Sequence, residues 1–391
     1  MFFLLGNKKS KLNTMKIGIL TMPLHINYGG ILQAYALKTV MERMGHEVWV
    51  INEPYHREKL PLKKYWLTYL KRLVKILLFR KNVHLFLEDY ENKVFPVISQ
   101  NIRPFVKRYF KTIDISDVAG CNNSYLFDVL IVGSDQIWRP MYYPKIDYAF
   151  FSFAKDWNVK RISYAASFGS DEWEYSANQT MLCAKLASKF DAISVREDSG
   201  LQLCEKYLGV PALHVLDPTL LLNSLDYEQL IPVNESKHVA KGNLVTYILD
   251  ETDEIRQIVK NVAEQYGYDV VQANSKFENR EANLEERIQP SIEQWLFSIK
   301  EADFVIADSF HACVFSIIFK KNFMVVRNQL RGITRIESLL KMFNLENRIV
   351  NKDTPISNIL DNPIDYASVE VILDAWKQKS FGFLKNALKD E

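Results

Sequence analysis

Residues 16–52, KIGILTMPLHINYGGILQAYALKTVMERMGHEVWVIN, decide the fold. KIGILTM (16–22) is a compact apolar run that reads as a core strand. ILQAYALKTVMERM (31–44) sets Ile31, Tyr35, Leu37, Val40, Met41 and Met44 at helical spacing, which predicts one buried stripe. Gly45 stands where a helix ends on a left-handed residue, and EVWVIN (47–52) reads as a second strand. Strand, glycine-containing loop, helix, glycine and strand make a βαβ unit, which calls for a parallel sheet.

The alternation continues downstream. FDVLIVGSDQIW (127–138), RISYAASFG (161–169), DAISVRE (191–197) and ALHVLDPTLLL (212–222) read as strands, with helices over 176–188 and 198–207. Residues 57–110 interrupt the series with a helical, basic and aromatic insertion. A polar stretch with Pro232 and Gly242 marks a linker over 223–243. A second series follows: strands at 243–250, 268–274, 302–309 and 322–326, helices at 252–266, 291–300 and 311–319, and a final helix over 364–388. The expected organisation is a 14-residue dispensable extension before Met15, an N-terminal α/β domain over 15–222, the linker, a C-terminal α/β domain over 244–362, and a C-terminal helix over 363–391. Two such domains leave a cleft, and open α/β sheets bind ligands beyond the carboxyl ends of their strands.

Composition narrows the class. In 391 residues, 49 Lys and Arg stand against 47 Asp and Glu, a net charge of +2 that argues against a nucleic-acid partner. With 48% hydrophobic and 13% aromatic residues, the chain is no disordered tail. Cys121, Cys183, Cys204 and Cys313 form no CxxC pair, so neither a zinc ribbon nor a disulfide framework is expected, and a reducing cytoplasm is the simplest compartment. No apolar run is long enough to span a membrane. The near-neutral total conceals an uneven distribution. Between Arg57 and His84, nine Lys and Arg face one acid, Glu58. Trp66, Leu70, Leu73 and Leu77 follow helical spacing there, so 57–86 is a candidate contact with an anionic membrane surface; the plainer reading is a helix packed on its own domain with a solvated basic face.

Four strand ends carry the candidate chemistry. In HINYGG (25–30), paired Gly29 and Gly30 before a helix permit close backbone approach to an anion, and Asn27 is a cap or a ligand contact. In VGSDQIW (132–138), Ser134, Asp135 and Gln136 place a carboxylate and an amide at the cleft, or else cap a helix. In SVRED (194–198), Arg196 suits two-point binding of a carboxylate or phosphate, or else pairs with a neighbouring acid. In IADSFHA (306–312), His311 after Ser309 opens an apolar helix, where an imidazole is suited to acid–base work or is merely capped by Asp308. Arg327, Arg331 and Arg335 recur around Gly332 and fit an anionic substrate. No HxxxH or HExxH spacing points to a metal, and Cys313, two residues from His311, does not face it on a helix.

NYGGILQAYAL (27–37), VLIVGSDQIW (129–138), SYAASFG (163–169), ISVRE (193–197), VLDPTLLL (215–222) and ADFVIADSFHACVFSIIF (302–319), in that order, resemble the polysaccharide pyruvyl transferase family. The resemblance covers about residues 16–340. It implies two Rossmann-like domains facing a cleft, similar to GT-B glycosyltransferases, with the helical insertion in the first domain. It also implies transfer of a pyruvyl group from phosphoenolpyruvate, a donor substrate with no further cofactor, to a sugar or lipid-linked oligosaccharide as a cyclic ketal. Under that reading His311 is the acid–base residue, Asp135 a base or sugar anchor, Arg196 and Arg335 the anion clamp, and Asn27, Gly29, Gly30, Ser134, Gln136, Ser309 and Arg331 binding residues. The protein is then expected in the cytoplasm or on the inner face of its membrane. Many members carry Arg-Leu-His where this chain has Ser309-Phe310-His311, so either Arg196 or Arg335 takes the absent arginine's place, or this branch uses another donor or sugar arrangement. The rival expectations are a sugar-nucleotide glycosyltransferase and a non-catalytic polysaccharide-assembly protein.

Overall fold

The computed structural model describes residues 14–58, 62–79, 84–121, 126–233, 243–328, 332–351 and 354–389. The extension 1–13, the linker segment 234–242, residues 59–61 and 80–83 of the insertion, and Arg331 lie outside the described residues.

The first sheet has seven strands: β1 (Lys16–Leu20), β2 (Glu47–Asn52), β3 (Thr112–Asp114), β4 (Val129–Val132), β5 (Lys160–Ala166), β6 (Ala192–Val195) and β7 (Leu213–His214). They lie in the order β3-β2-β1-β4-β5-β6-β7, all parallel. The second sheet has β8 (Asn243–Tyr247), β9 (Asp269–Gln272), β10 (Phe304–Ala307), β11 (Asn322–Val326) and β12 (Ile349–Val350), in the order β12-β11-β10-β8-β9, also parallel. Both orders reverse direction beside their first strand. The reversal lies between β1 and β4 in the first sheet and between β8 and β10 in the second. These two points are where an open parallel sheet leaves a crevice for a ligand. The architecture is therefore two Rossmann-like α/β lobes, as the patterning predicts.

Local differences have local causes. The stretch 212–222 is strand only at Leu213–His214; Asp217 and Pro218 then start a 3₁₀ turn over Pro218–Leu221, because Asp217 accepts from the Thr219 N–H at 3.0 Å. β3 and β12 are too short to show periodicity. The helix Tyr28–Arg43 begins three residues before its apolar stripe, because Asn27 accepts from the Gly30 N–H at 3.2 Å and caps it.

The lobes meet through buried aromatic rings. Tyr28 stacks on Trp295 at 5.3 Å, and its hydroxyl donates to the Pro290 carbonyl at 2.8 Å. The last helix, Tyr366–Ala387, returns to the first lobe. There Ser380 Oγ accepts from the Leu216 N–H at 3.0 Å, and Trp376 sets its ring against His214.

The insertion has an inverted surface. In the helix Leu62–Phe79, the half-buried Tyr65, Thr68, Tyr69, Arg72 and Ile76 form the inner side. Trp66 (81% exposed), Leu67, Leu70, Leu73, Val74, Leu77 and Leu78 (74%) face outward, flanked by exposed Lys71 and Lys75. Arg72 is held at 2.6 Å by Glu88 of the adjacent helix Leu87–Ile98, which fixes the hairpin. The packed-helix reading expects the apolar stripe against the domain; the structure turns it outward. Among the described residues, no helix is long and apolar enough to cross a membrane.

Candidate functional site

A cavity of about 260 Å³ lies where the two reversal points face each other. The loop after β1 gives it Ile26 and Asn27, and the loop after β4 gives Asp135 and Gln136. The loop after β8 gives Leu249. The turn after β10 gives Asp308, Ser309, Phe310 and His311, and the helix Ile333–Met342 gives Arg335. The first lobe thus supplies the Asp135 carboxylate, and the second the His311 imidazole and the Arg335 guanidinium.

Behind this wall is a buried charge cluster. Arg196 leaves the end of β6 and donates from Nη1 to Asp217 Oδ2 at 2.8 Å and from Nη2 to Asp135 Oδ1 at 3.1 Å. Asp217 Oδ2 also lies 3.2 Å from Ser134 Oγ and 3.6 Å from His311 Nε2, the latter an ion-pair approach rather than a hydrogen bond. Asp217 Oδ1 takes the Thr219 hydroxyl at 2.6 Å. Asp135 has a second cation, Arg335 Nη1, at 3.7 Å. Glu197 accepts from the Phe168 N–H at 2.8 Å. All these side chains are buried.

Burial and charge compete at each group. Burial alone would raise the carboxyl of Asp217, but His311 and Arg196 hold it well below the ordinary value. Asp135 is likewise pushed up by burial and brought below its ordinary value by Arg196, His311 and Arg335. Burial raises Glu197, with Arg196 and Arg335 opposing. Burial and the like charge of Arg196 bring Arg335 down to about 10, which leaves it protonated at neutral pH. Burial pushes the Cys313 thiol up, and its Sγ donates to the Ser309 carbonyl at 3.1 Å, so it is no nucleophile here.

Several sequence expectations change place. Arg196 is no two-point clamp, since both its terminal nitrogens are committed to carboxylates. Among the described residues, Arg335 is the arginine that lines the cavity. Both guanidiniums lie against the Phe310 ring, at 4.2 Å for Arg196 and 5.8 Å for Arg335. The aromatic face thus seats two cations in the run where the family arginine has no counterpart. Ser134 is fully buried behind the cavity wall, donating to the Ala165 carbonyl at 2.9 Å. The Gly30 N–H is taken by the Asn27 cap. Gly29 is needed for a different reason from anion approach: a Cβ there would stand 2.0 Å from His311 Nδ1. The imidazole is therefore wedged between the Gly29 backbone and Asp217. Asp308 does not cap His311; it accepts from the Leu249 and Asp250 N–H groups at 2.8 and 3.1 Å and from Asn328 Nδ2. That ties the ends of β8 and β10 together. Gln136 and Ser309 line the cavity as expected, and Gln136 Oε1 accepts from Arg139.

Asp217 is the principal residue that reading the sequence misses. It sits in VLDPTLLL, a segment whose apolar character reads as strand and hides the carboxylate; the Asp-Pro pair is the signal of a turn. Asp135 has a positive φ of 57°, an unfavourable backbone state for a non-glycine residue that is often stored at functional sites. Gly133 before it admits the Tyr164 carbonyl 2.0 Å from where a Cβ would be. Among the described residues, no group of three or more His, Cys, Asp and Glu is arranged to hold a metal ion.

The arrangement combines an imidazole, a cavity-lining carboxylate and a cavity-lining guanidinium, with a second carboxylate behind the imidazole. It can hold an anion, move a proton and bind hydroxyl groups. Solved structures similar to the chain include a spinosyn rhamnosyltransferase (11% identity, 92% of this chain and 95% of that one, TM-score 0.44). An α-glucosyltransferase in complex with UDP is similar at 10% identity, with 95% of each chain covered and a TM-score of 0.45. A UDP-GlcNAc 2-epimerase from Neisseria meningitidis, bound to UDP-GlcNAc, is similar at 12% identity, with 94% of each chain covered and a TM-score of 0.47. No residue role or activity transfers at this level of likeness. No curated protein matches the chain. The family model for polysaccharide pyruvyl transferase matches residues 27–329. That span runs from the Asn27 cap, after β1, through β4 and the β8–β10 reversal and past β11, and the chain belongs to the polysaccharide pyruvyl transferase family.

Proposed function

We propose that the protein transfers a pyruvyl group from phosphoenolpyruvate to two hydroxyls of a sugar in a polysaccharide precursor, forming a cyclic ketal. The observation that carries this reading is the cavity between the lobes, where His311 and Asp135, both within the family's matched span, converge with Arg335. Protonation of the donor's methylene carbon makes a methyl group and leaves an oxocarbenium-like centre at the neighbouring carbon. One sugar hydroxyl adds there and loses its proton. Phosphate then leaves with the C–O electron pair, and the second hydroxyl adds to the oxocarbenium centre so formed and closes the ring, returning its proton to His311.

His311 is the proton donor for the methylene carbon, with Asp217 behind it to stabilise the imidazolium. Asp135 accepts the hydroxyl proton or orients the sugar. Arg335 holds the carboxylate or phosphate of the donor, because a guanidinium fork matches either. The outward stripe Trp66–Leu78 with Lys71 and Lys75 docks on an anionic membrane surface, where apolar side chains enter the headgroup boundary and lysines meet lipid charge. On this reading the protein works at the cytoplasmic face of the membrane, beside a lipid-linked acceptor.

Calorimetry with phosphoenolpyruvate against a panel of nucleotide sugars tests the donor. Binding of phosphoenolpyruvate, weakened by Arg335→Gln, supports the reading. Binding of a nucleotide sugar with no response to phosphoenolpyruvate makes the protein a glycosyltransferase instead.

A further inference from the structure

Next to the first cavity is a second, of about 440 Å³, and the two share Ile26, Phe277 and Glu278 in their walls. The first lobe gives the second cavity one side, through the chain after β2 and the insertion helix Leu87–Ile98. The second lobe gives the other, through residues 277–287. Its floor carries Tyr55 stacked on Phe95 with ring centroids 3.6 Å apart. Arg57, Arg280 and Arg287 line it against two carboxylates, Glu91 and Glu278.

The three arginines are not equivalent. Arg57 and Arg280 both donate to Glu91, the latter at 2.6 Å, and both are substantially exposed. Arg287 is only 4% exposed. Its Nε donates to the Phe277 carbonyl at 3.3 Å, while its Nη1 is buried with no hydrogen-bond partner. A guanidinium nitrogen withdrawn from water without an acceptor is costly, and such a group in a native fold calls for an explanation. A cavity with a stacked aromatic floor and an unsatisfied buried guanidinium has the two elements that a phosphorylated sugar needs. The ring face takes the sugar's C–H surface, and the fork takes phosphate oxygens.

We infer that this second cavity is the acceptor subsite, and that Arg287, with Arg57 and Arg280, binds the phosphate or diphosphate carried on the acceptor sugar. The inference rests on the pyruvyl-transfer reading for the word acceptor. The shared wall then lets one sugar reach both cavities, its phosphate end at Arg287 and its hydroxyls towards Asp135. The diphosphate can belong to a nucleotide or to a polyprenyl carrier, since both present the same oxygens.

Titration calorimetry of the full-length protein tests this with inorganic pyrophosphate as the probe, alone and with excess phosphoenolpyruvate. Pyrophosphate should bind in both cases. Arg287→Gln should weaken it by about tenfold or more, the order expected for a lost charge-assisted hydrogen bond. Because Arg287 is buried, Arg280→Gln provides a half-exposed second variant, which should weaken it by a smaller factor. Phosphoenolpyruvate binding should be unchanged in both. Pyrophosphate affinity that is the same in both variants, or that disappears when phosphoenolpyruvate is added, overturns the subsite. If phosphoenolpyruvate does not bind while pyrophosphate binds through Arg287, the donor reading fails and the anion subsite stands. Geranyl diphosphate and UDP serve as further probes. Tighter binding of the first assigns a polyprenyl carrier to the subsite, tighter binding of the second a nucleotide, and Arg287-independent binding of both counts against it.

Discussion

Two regions of this molecule depart from the usual distribution of residues, in opposite directions. In and behind the wall of the first cavity, Arg196, Arg335, Asp135, Asp217 and Glu197 are charged groups inside the protein. On the insertion helix, Trp66, Leu70, Leu77 and Leu78 are large apolar groups outside it. Water-soluble folds normally bury the second kind and expose the first. The buried cluster tolerates its charges because nearly every one has an opposite partner within 2.8–3.7 Å. The exposed stripe has no counterpart among the described residues. The first departure is closed within the protein and sets up chemistry. The second is open and calls for a surface from outside.

The predictions test whether that division holds. His311→Ala should lower turnover by roughly 10²–10⁴ with the fold intact, the range for loss of an acid–base group; a folded variant with unchanged turnover removes His311 from the chemistry. Asp217→Asn should cost about 3–5 kcal/mol in urea unfolding, because it strips a buried ion pair of one partner. A cost below about 1 kcal/mol would mean that Arg196 is satisfied without Asp217. Gly29→Ala should lower turnover by about 10², since the added Cβ must displace the imidazole and misplacement by about an ångström has that effect.

The pH dependence of stability follows the carboxylates. Asp135 and Asp217 have depressed values when folded. Their contribution is complete above the unfolded value of about 3.9 and is lost as the pH falls below it. The unfolding midpoint should therefore drop on acidification through pH ~4, more steeply in the wild type than in Asp217→Asn. The smallest effect on catalysis belongs to the outer region. Replacing Trp66 and Leu70 by Asp should abolish co-sedimentation with anionic vesicles at low salt while leaving the melting temperature within about 2–4 °C. Equal sedimentation of both proteins would return the stripe to an ordinary surface.

The parallel lobes were legible in the sequence because buried strands are continuous apolar runs and helices keep a 3.6-residue period. KIGILTM and EVWVIN fall on β1 and β2, and NFMVV on β11. The pairing of the buried charged side chains is not legible. Arg196 precedes Asp217 by 21 residues and follows Asp135 by 61, and no local pattern says which carboxylate it meets. Tertiary packing therefore converted Arg196 from a ligand contact into a structural hub. It also gave Arg335, read as one of three spaced arginines, the place on the cavity wall. The paired glycines mark Gly29 as a point of close approach, and what approaches it is His311.

The most direct test of pyruvyl transfer follows phosphorus by ³¹P NMR, with the protein, phosphoenolpyruvate, nucleotide sugars and a polysaccharide-precursor fraction together. The account predicts that the enol phosphate signal gives way to inorganic phosphate only when the precursor is present, and that His311→Ala suppresses the change. Loss of the nucleotide-sugar signal to nucleoside diphosphate, with phosphoenolpyruvate untouched, would contradict it.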